Sequence, residues 1–156
     1  KQMANLFEEF VRNFYKIEQD KYYVTREYVK WDAKALDEIS SSYLPRMQTD
    51  ISMESNSKKI IIETKFYKEA LQTHYDIEKI RQDHLNQLFV YLKHLEKGGG
   101  LNLDCEGILL YPTVKKEIEL NYESQGHKIG VRTINLNQEW RNIHNDLMSF
   151  IDVNSN

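Results

Sequence analysis

The spacing of apolar and polar positions divides the chain into helices and strands. In residues 3–18, Leu6, Phe7, Phe10, Val11, Phe14 and Ile17 recur at i, i+3, i+4 and i+7, the pattern of one buried helix face. Residues 22–32, YYVTREYVKWD, are aromatic and β-branched and predict a strand. Residues 33–43 fit a short helix with Leu36 and Ile39 as its apolar side, or a loop. Ser40-Ser41-Ser42 leads from there to Leu44-Pro45, where any helix ends and a strand begins. Residues 49–53 alternate with period two, and residues 59–67 open with Ile60-Ile61-Ile62, as a well-buried strand does. Between them, Ser55, Asn56 and Ser57 supply turn chemistry, so the two segments predict a hairpin.

Beyond the hairpin, residues 69–75 are polar and predict a loop. Residues 76–97 predict a long helix whose stripe is Ile77, Ile80, His84, Leu85, Leu88, Leu92 and Leu95, stopped by Gly98-Gly99-Gly100. Residues 105–112 predict a buried strand ended by Pro112. Residues 116–122 and 128–136 predict a second hairpin at the sheet edge. A closing helix over 138–151 buries Trp140, Ile143, Leu147, Phe150 and Ile151, with Asn137 as its N-cap and a frayed tail after Ile151.

The first hairpin carries the candidate chemistry. Centred between Asn56 and Ser57, it sets Asp50 opposite Glu63, and directly opposed residues share a face. Lys65, two positions from Glu63, shares that face too. This patch suits the solvent side of an ordinary hairpin. Yet two opposed carboxylates repel unless a cation lies between them. A hard divalent ion such as Mg²⁺ takes one or two carboxylates and fills its shell with water, which a neighbouring lysine can orient. An ordinary lysine is already protonated at neutral pH, so orientation and charge suit it better than proton abstraction.

Two further features bear on the patch. Gln87 and Tyr91 are four apart on the long helix and share a face, as a surface pair or as support for a site. Glu8 and Glu9 lie early in the first helix and either complement its dipole or, through Glu8, face the hairpin. His74, His84 and His94 recur every ten residues, a helical rotation of about 1,000° that leaves them on different faces. They predict surface or interface histidines.

Bulk properties narrow the classes. A chain of 156 residues suits one domain with one core. The net charge of −3 argues against a strong autonomous DNA binder, though not against an enzyme whose affinity comes from a partner. Cys105 is the only cysteine, which excludes intrachain disulfides and Cys-rich zinc sites and fits a reducing cytoplasm. No apolar run approaches the roughly 20 residues of a membrane span, and no signal peptide is visible. Gly-rich phosphate loops and GxSxG elbows are missing, which counts against NTPases and α/β-hydrolases.

Pro45, Asp50 and Glu63-Thr64-Lys65 resemble the signature of the PD-(D/E)xK nuclease superfamily. With Leu6–Tyr15 (LFEEFVRNFY), Leu44–Ile51 (LPRMQTDI) and Glu63–Tyr67 (ETKFY), residues 3–112 resemble the McrC family, the nuclease subunit of McrBC modification-dependent restriction systems. Glu63 stands where most relatives would carry Asp, a change the superfamily pattern allows. The resemblance implies an α/β, restriction-endonuclease-like core with a mixed central sheet flanked by helices. It implies one nuclease domain over 1–156, the C-terminal part of a longer protein. It implies Mg²⁺-dependent hydrolysis of double-stranded DNA, with Mn²⁺ as a substitute metal. Asp50, Glu63 and the Thr64 backbone carbonyl would hold the metal, Lys65 would act on the water, and Glu8, Gln87 and Tyr91 would support them. The Gln87-x-x-x-Tyr91 spacing itself resembles the motif after the catalytic strand of RecB-like nucleases. The implied partners are an AAA+ GTPase of the McrB type, docked through a missing N-terminal region, and a second copy for double-strand cleavage. A module of this fold that has lost cleavage, or a transposition or repair endonuclease, are the alternatives.

Overall fold

Every residue of β5 (Lys59–Thr64) is buried, and the molecule is layered about that strand. The computed structural model describes residues 1–66, 79–113 and 117–151. The central sheet has six strands in the order β1 (Tyr23–Thr25), β4 (Ile51–Glu54), β5, β6 (Glu106–Thr113), β8 (His127–Asn135) and β7 (Glu119–Ser124). β5, β6 and β8 run parallel, while β1 and β4 at one edge and β7 at the other pair antiparallel.

Alternation along β5 feeds two cores. Ile60 and Ile62 pack with Phe7, Val11, Phe14 and Tyr15 of α1 (Gln2–Glu18) and with Ile143 and Leu147 of α4 (Trp140–Ser149). Ile61 faces the opposite way, onto Leu88, Tyr91, Leu92 and Leu95 of α3 (Gln82–Leu95). A strand covered on both faces needs apolar residues in succession, which is why the isoleucine triplet sits here. Each isoleucine so buried contributes roughly 1.5–3 kcal/mol. Gly107 lets α3 lie close on β6, since a Cβ there would fall 3.0 Å from methyl carbons of Leu88 and Leu92. This mixed sheet between helices is the expected restriction-endonuclease-like fold.

The first hairpin holds the expected register, with Ile51 opposite Ile62 and Met53 opposite Ile60. β4 and β5 are shorter than expected, and Asp50 stands one residue outside the ladder. The single strand expected over 22–32 is two, β1 and β2 (Tyr28–Val29), and β2 pairs with β3 (Met47–Gln48) as a separate ribbon. The break has a cause. Between the pair Thr25–Ser52 and the pair Tyr28–Gln48, two residues, Arg26 and Glu27, face three, Thr49, Asp50 and Ile51. This is a bulge, which bends the strand and re-aims its side chains. Met47 and Ile51 therefore enter opposite cores despite their even spacing. The bulge is pinned by Thr49 N–H to the Glu27 carbonyl at 2.8 Å and Glu27 N–H to Thr49 Oγ1 at 3.0 Å.

Other expectations need correction. α1 buries Tyr15, whose hydroxyl donates to the Leu147 carbonyl at 2.6 Å, and leaves Leu6 and Ile17 exposed. α2 (Glu38–Ser42) buries nothing, so Leu36 and Ile39 form no inward face. α3 begins at Gln82, because Ile80 and Arg81 are not helical, and of the glycines after it Gly98 ends one short 3-10 turn, Gly100 opens a second, and Gly99 joins them. β6 continues through Pro112 to Thr113. The Lys65 N–H bonds the Leu110 carbonyl, so the next bond of this parallel ladder would run from position 112 to the Lys65 carbonyl; Pro112 has no N–H to give, and β5 ends at Thr64 while β6 runs on. α4 starts after Glu139 rather than Asn137, and Trp140 is half exposed, its ring edge-on to Phe10 and Phe14. Tyr67, the 69–75 loop, His74, Ile77, Lys116 and the tail after Ile151 lie outside the described residues.

Candidate active site

Where β4 stops and β5 runs on, backbone groups of β5 lose their antiparallel partner. Asp50 takes up one of them. Its Oδ2 accepts from the Thr64 N–H at 2.9 Å and from the Thr64 hydroxyl at 2.8 Å, leaving Oδ1 out of that bonding. In a strand the N–H and C=O of one residue point to the same side, so the Thr64 carbonyl also faces the side β4 has vacated.

Glu63 and Lys65 share a face, as expected, with Lys65 Nζ 3.3 Å from Glu63 Oε2. That face is the one α3 covers. Lys65 Nζ donates to Gln87 Oε1, and Gln87 Nε2 donates to the Tyr91 hydroxyl at 3.1 Å. The structure thus brings Gln87 and Tyr91 to the first hairpin in a chain that starts at Lys65. From the other side α1 brings Glu8, whose charge bears on Asp50 and Glu63. Glu9 is exposed. His84 and His94 do not share this site. His84 Nδ1 meets the Tyr111 hydroxyl and His94 Nδ1 accepts from the Asp32 N–H, both at 2.8 Å.

The electrostatics are those of crowded acids. Glu63 is only 3% exposed, and its Oε1 is buried with no hydrogen-bond partner. Burial and the Asp50 charge push Glu63 up to about 8, against the pull of Lys65. Burial and the Glu8 charge raise Asp50 to about 6, against the two bonds from Thr64. A divalent cation bound there would displace these protons to solvent, because a carboxylate ligates only in its deprotonated form. Among the described residues no cluster of three or more His, Cys, Asp or Glu side chains is placed to chelate an ion. What the site offers a cation is oxygen alone: the carboxylates of Asp50 and Glu63, the latter with its orphaned Oε1, and the Thr64 carbonyl. That set fits Mg²⁺, which keeps much of its water shell.

Sequence reasoning missed three contributors. Thr64 holds Asp50 through its hydroxyl and N–H, beyond any use of its carbonyl. Arg12 donates from one nitrogen to Glu8 at 2.7 Å and to the Asp50 carbonyl at 3.2 Å. Its spacing of four from Glu8 was the readable signal. Arg26, at the bulge, lies 3.5 Å from Glu8 and has no local signal at all.

Comparison with known proteins bears on the family. A profile of the family described as "McrBC 5-methylcytosine restriction system component" matches residues 1–112. The type IV methyl-directed restriction enzyme EcoKMcrBC of Escherichia coli (strain K12) is 37% identical over 152 residues, which is 97% of this chain and 43% of that relative. The chain spans less than half the length of the curated relative it matches. No helix among the described residues is long and apolar enough to cross a membrane. On the strength of the profile match and this identity, the chain belongs to the McrBC 5-methylcytosine restriction system component family, on its McrC side.

Proposed function

We propose that this chain is the nuclease domain of an McrC-like subunit and hydrolyses phosphodiester bonds of double-stranded DNA with Mg²⁺. The observation that carries the reading is the orphaned, buried oxygen of Glu63, set beside Asp50 and Lys65. A carboxylate stripped of water and donors is costly unless a cation completes it.

Asp50, Glu63 and the Thr64 carbonyl would hold the metal, which when bound polarises the scissile phosphate and acidifies a water. Lys65 orients the attacking water and offsets charge on the phosphate in the transition state. Gln87 fixes the lysine head by accepting from it, and Tyr91 fixes the amide of Gln87. Thr64 fixes Asp50. Glu8 is an outer support, neutralised by Arg12. In this reading a GTP-driven AAA+ partner of the McrB type selects modified DNA and docks through a region N-terminal to this chain, and two copies converge for a double-strand break. The protein acts in the cytoplasm. The presence of all three polar residues disfavours a module that has lost cleavage.

Plasmid cleavage in Mg²⁺ or Mn²⁺ tests the reading, using the full-length protein with its GTPase partner, GTP and methylated DNA. Asp50→Ala should abolish both cleavage and Mn²⁺ binding at the site by calorimetry. Lys65→Ala should abolish cleavage while metal and DNA still bind. Unchanged Mn²⁺ affinity in Asp50→Ala would overturn the metal assignment, and a Lys65→Ala protein that cuts at the parent rate would remove Lys65 from the mechanism.

A further inference from the structure

Three cations surround the acidic cluster, and they are not equivalent. Lys65 is held between Glu63 and Gln87 and is 18% exposed. Arg12 is held between Glu8 and the Asp50 carbonyl and is 14% exposed. Both are committed to protein acceptors. Arg26 is 46% exposed and touches Glu8 through Nε at 3.5 Å, a loose ion contact. Among the described residues its guanidinium has no hydrogen-bonded acceptor. Its backbone, by contrast, is anchored. The Arg26 carbonyl accepts from Gln48 Nε2, and the next residue is pinned to Thr49, beside Asp50. The bulge thus holds a firm base under an uncommitted planar cation, one side chain away from the candidate metal ligands.

A guanidinium fork suits the bidentate geometry of a phosphate. The chain as a whole carries a net charge of −3, so attraction to a polyanion must come from cations placed locally. Arg46, on the neighbouring β3 side of the ribbon, is already engaged, its guanidinium 4.7 Å from the centre of the Tyr28 ring. Release of Arg26 leaves Glu8 paired, because Arg12 stays 2.7 Å away.

We propose that Arg26 binds a backbone phosphate of the DNA at the site, exchanging its loose contact with Glu8 for paired bonds to the phosphate oxygens. The proposal rests on the nuclease reading above and adds to it the residue that seats the substrate strand.

The test measures DNA affinity against salt for the full-length protein, with Ca²⁺ in place of Mg²⁺ so that DNA stays intact, and steady-state cleavage in Mg²⁺. Arg26→Ala should weaken binding about tenfold at low salt and lower the slope of log K against log [salt] by about 0.9, the share of one phosphate contact. It should raise KM with kcat little changed. Glu8→Gln separates binding from a merely structural role. That variant removes the Arg26 partner but keeps Arg26, so its salt slope should match the parent. Lys128→Ala, an exposed cation at the far end of β8, should also match the parent. Thermal melts check that each variant is folded. An Arg26→Ala slope equal to the parent's, or a Glu8→Gln slope reduced as in Arg26→Ala, would overturn the proposal while Asp50-dependent cleavage kept the nuclease reading intact. A parent protein that neither binds nor cuts DNA would overturn both.

Discussion

Glu63→Gln should make the metal-free protein more stable while making it inert. The carboxyl is 3% exposed, one oxygen lacks any partner, and its acid is held up to about 8 from an ordinary 4.5. The direction of the pH effect follows. Between those two values the unfolded chain has released the proton while the native state keeps it. Native stability therefore falls as pH rises through that window, by at most about 1.4 kcal/mol per pH unit. Glutamine carries no charge and removes this slope. It also leaves Lys65 without the carboxylate now 3.3 Å away, which returns part of the gain. A net stabilisation of about 1–2 kcal/mol at pH 8 is expected, with about 2–4 °C in Tm for each kcal/mol in a chain of this size. The assay is thermal unfolding by circular dichroism at pH 6 and pH 8, in EDTA and in Mn²⁺. In EDTA the variant should melt above the parent at pH 8, with a smaller gap at pH 6. In Mn²⁺ the parent should rise through binding to the native state and the variant should not. A variant that melts below the parent in EDTA at pH 8, or that Mn²⁺ still raises as much as the parent, would refute the reasoning.

Two further perturbations probe how the site is held. Thr64→Val removes the hydroxyl bond to buried Asp50 but keeps the N–H, so it should cost about 1 kcal/mol and weaken Mn²⁺ binding severalfold by calorimetry. Gly107→Ala drives a methyl against Leu88 and Leu92, which should cost about 1–3 kcal/mol by denaturant unfolding and slow cleavage by shifting the helix that carries Gln87.

The hairpin was legible because two independent signals agreed. The Ser55-Asn56-Ser57 turn fixed its centre, the isoleucine triplet fixed its burial, and together they placed Asp50 level with Glu63. Gln87 and Tyr91 were legible from helical spacing after that motif. The bulge was not. Met47, Ile51 and Met53 keep even spacing, so periodicity alone reads them as one face, and only the pairing with β1 and β2 reveals the extra residue. Pro112 misled for a related reason. It ends the ladder of its neighbour β5 rather than its own strand, which only the pairing with β6 reveals. Leu6, Ile17, Leu36 and Ile39 look like core residues by type, yet burial depends on which elements cover them. Arg26 reaches the site through the fold alone.

The bulge also governs how this sequence can change by descent. Loss of one residue between Met47 and Ile51 would close the bulge: at a spacing of three, plain alternation still sends the two side chains to opposite cores, but the bonds that pin Thr49 to Glu27 would go and Asp50 would lose its aim. Substitutions there can be inherited singly, but a change of length cannot. Residues 32–46 obey no such rule, because none of their side chains is buried. Length variation among descendants of this chain should therefore gather in that arm and stop at Met47.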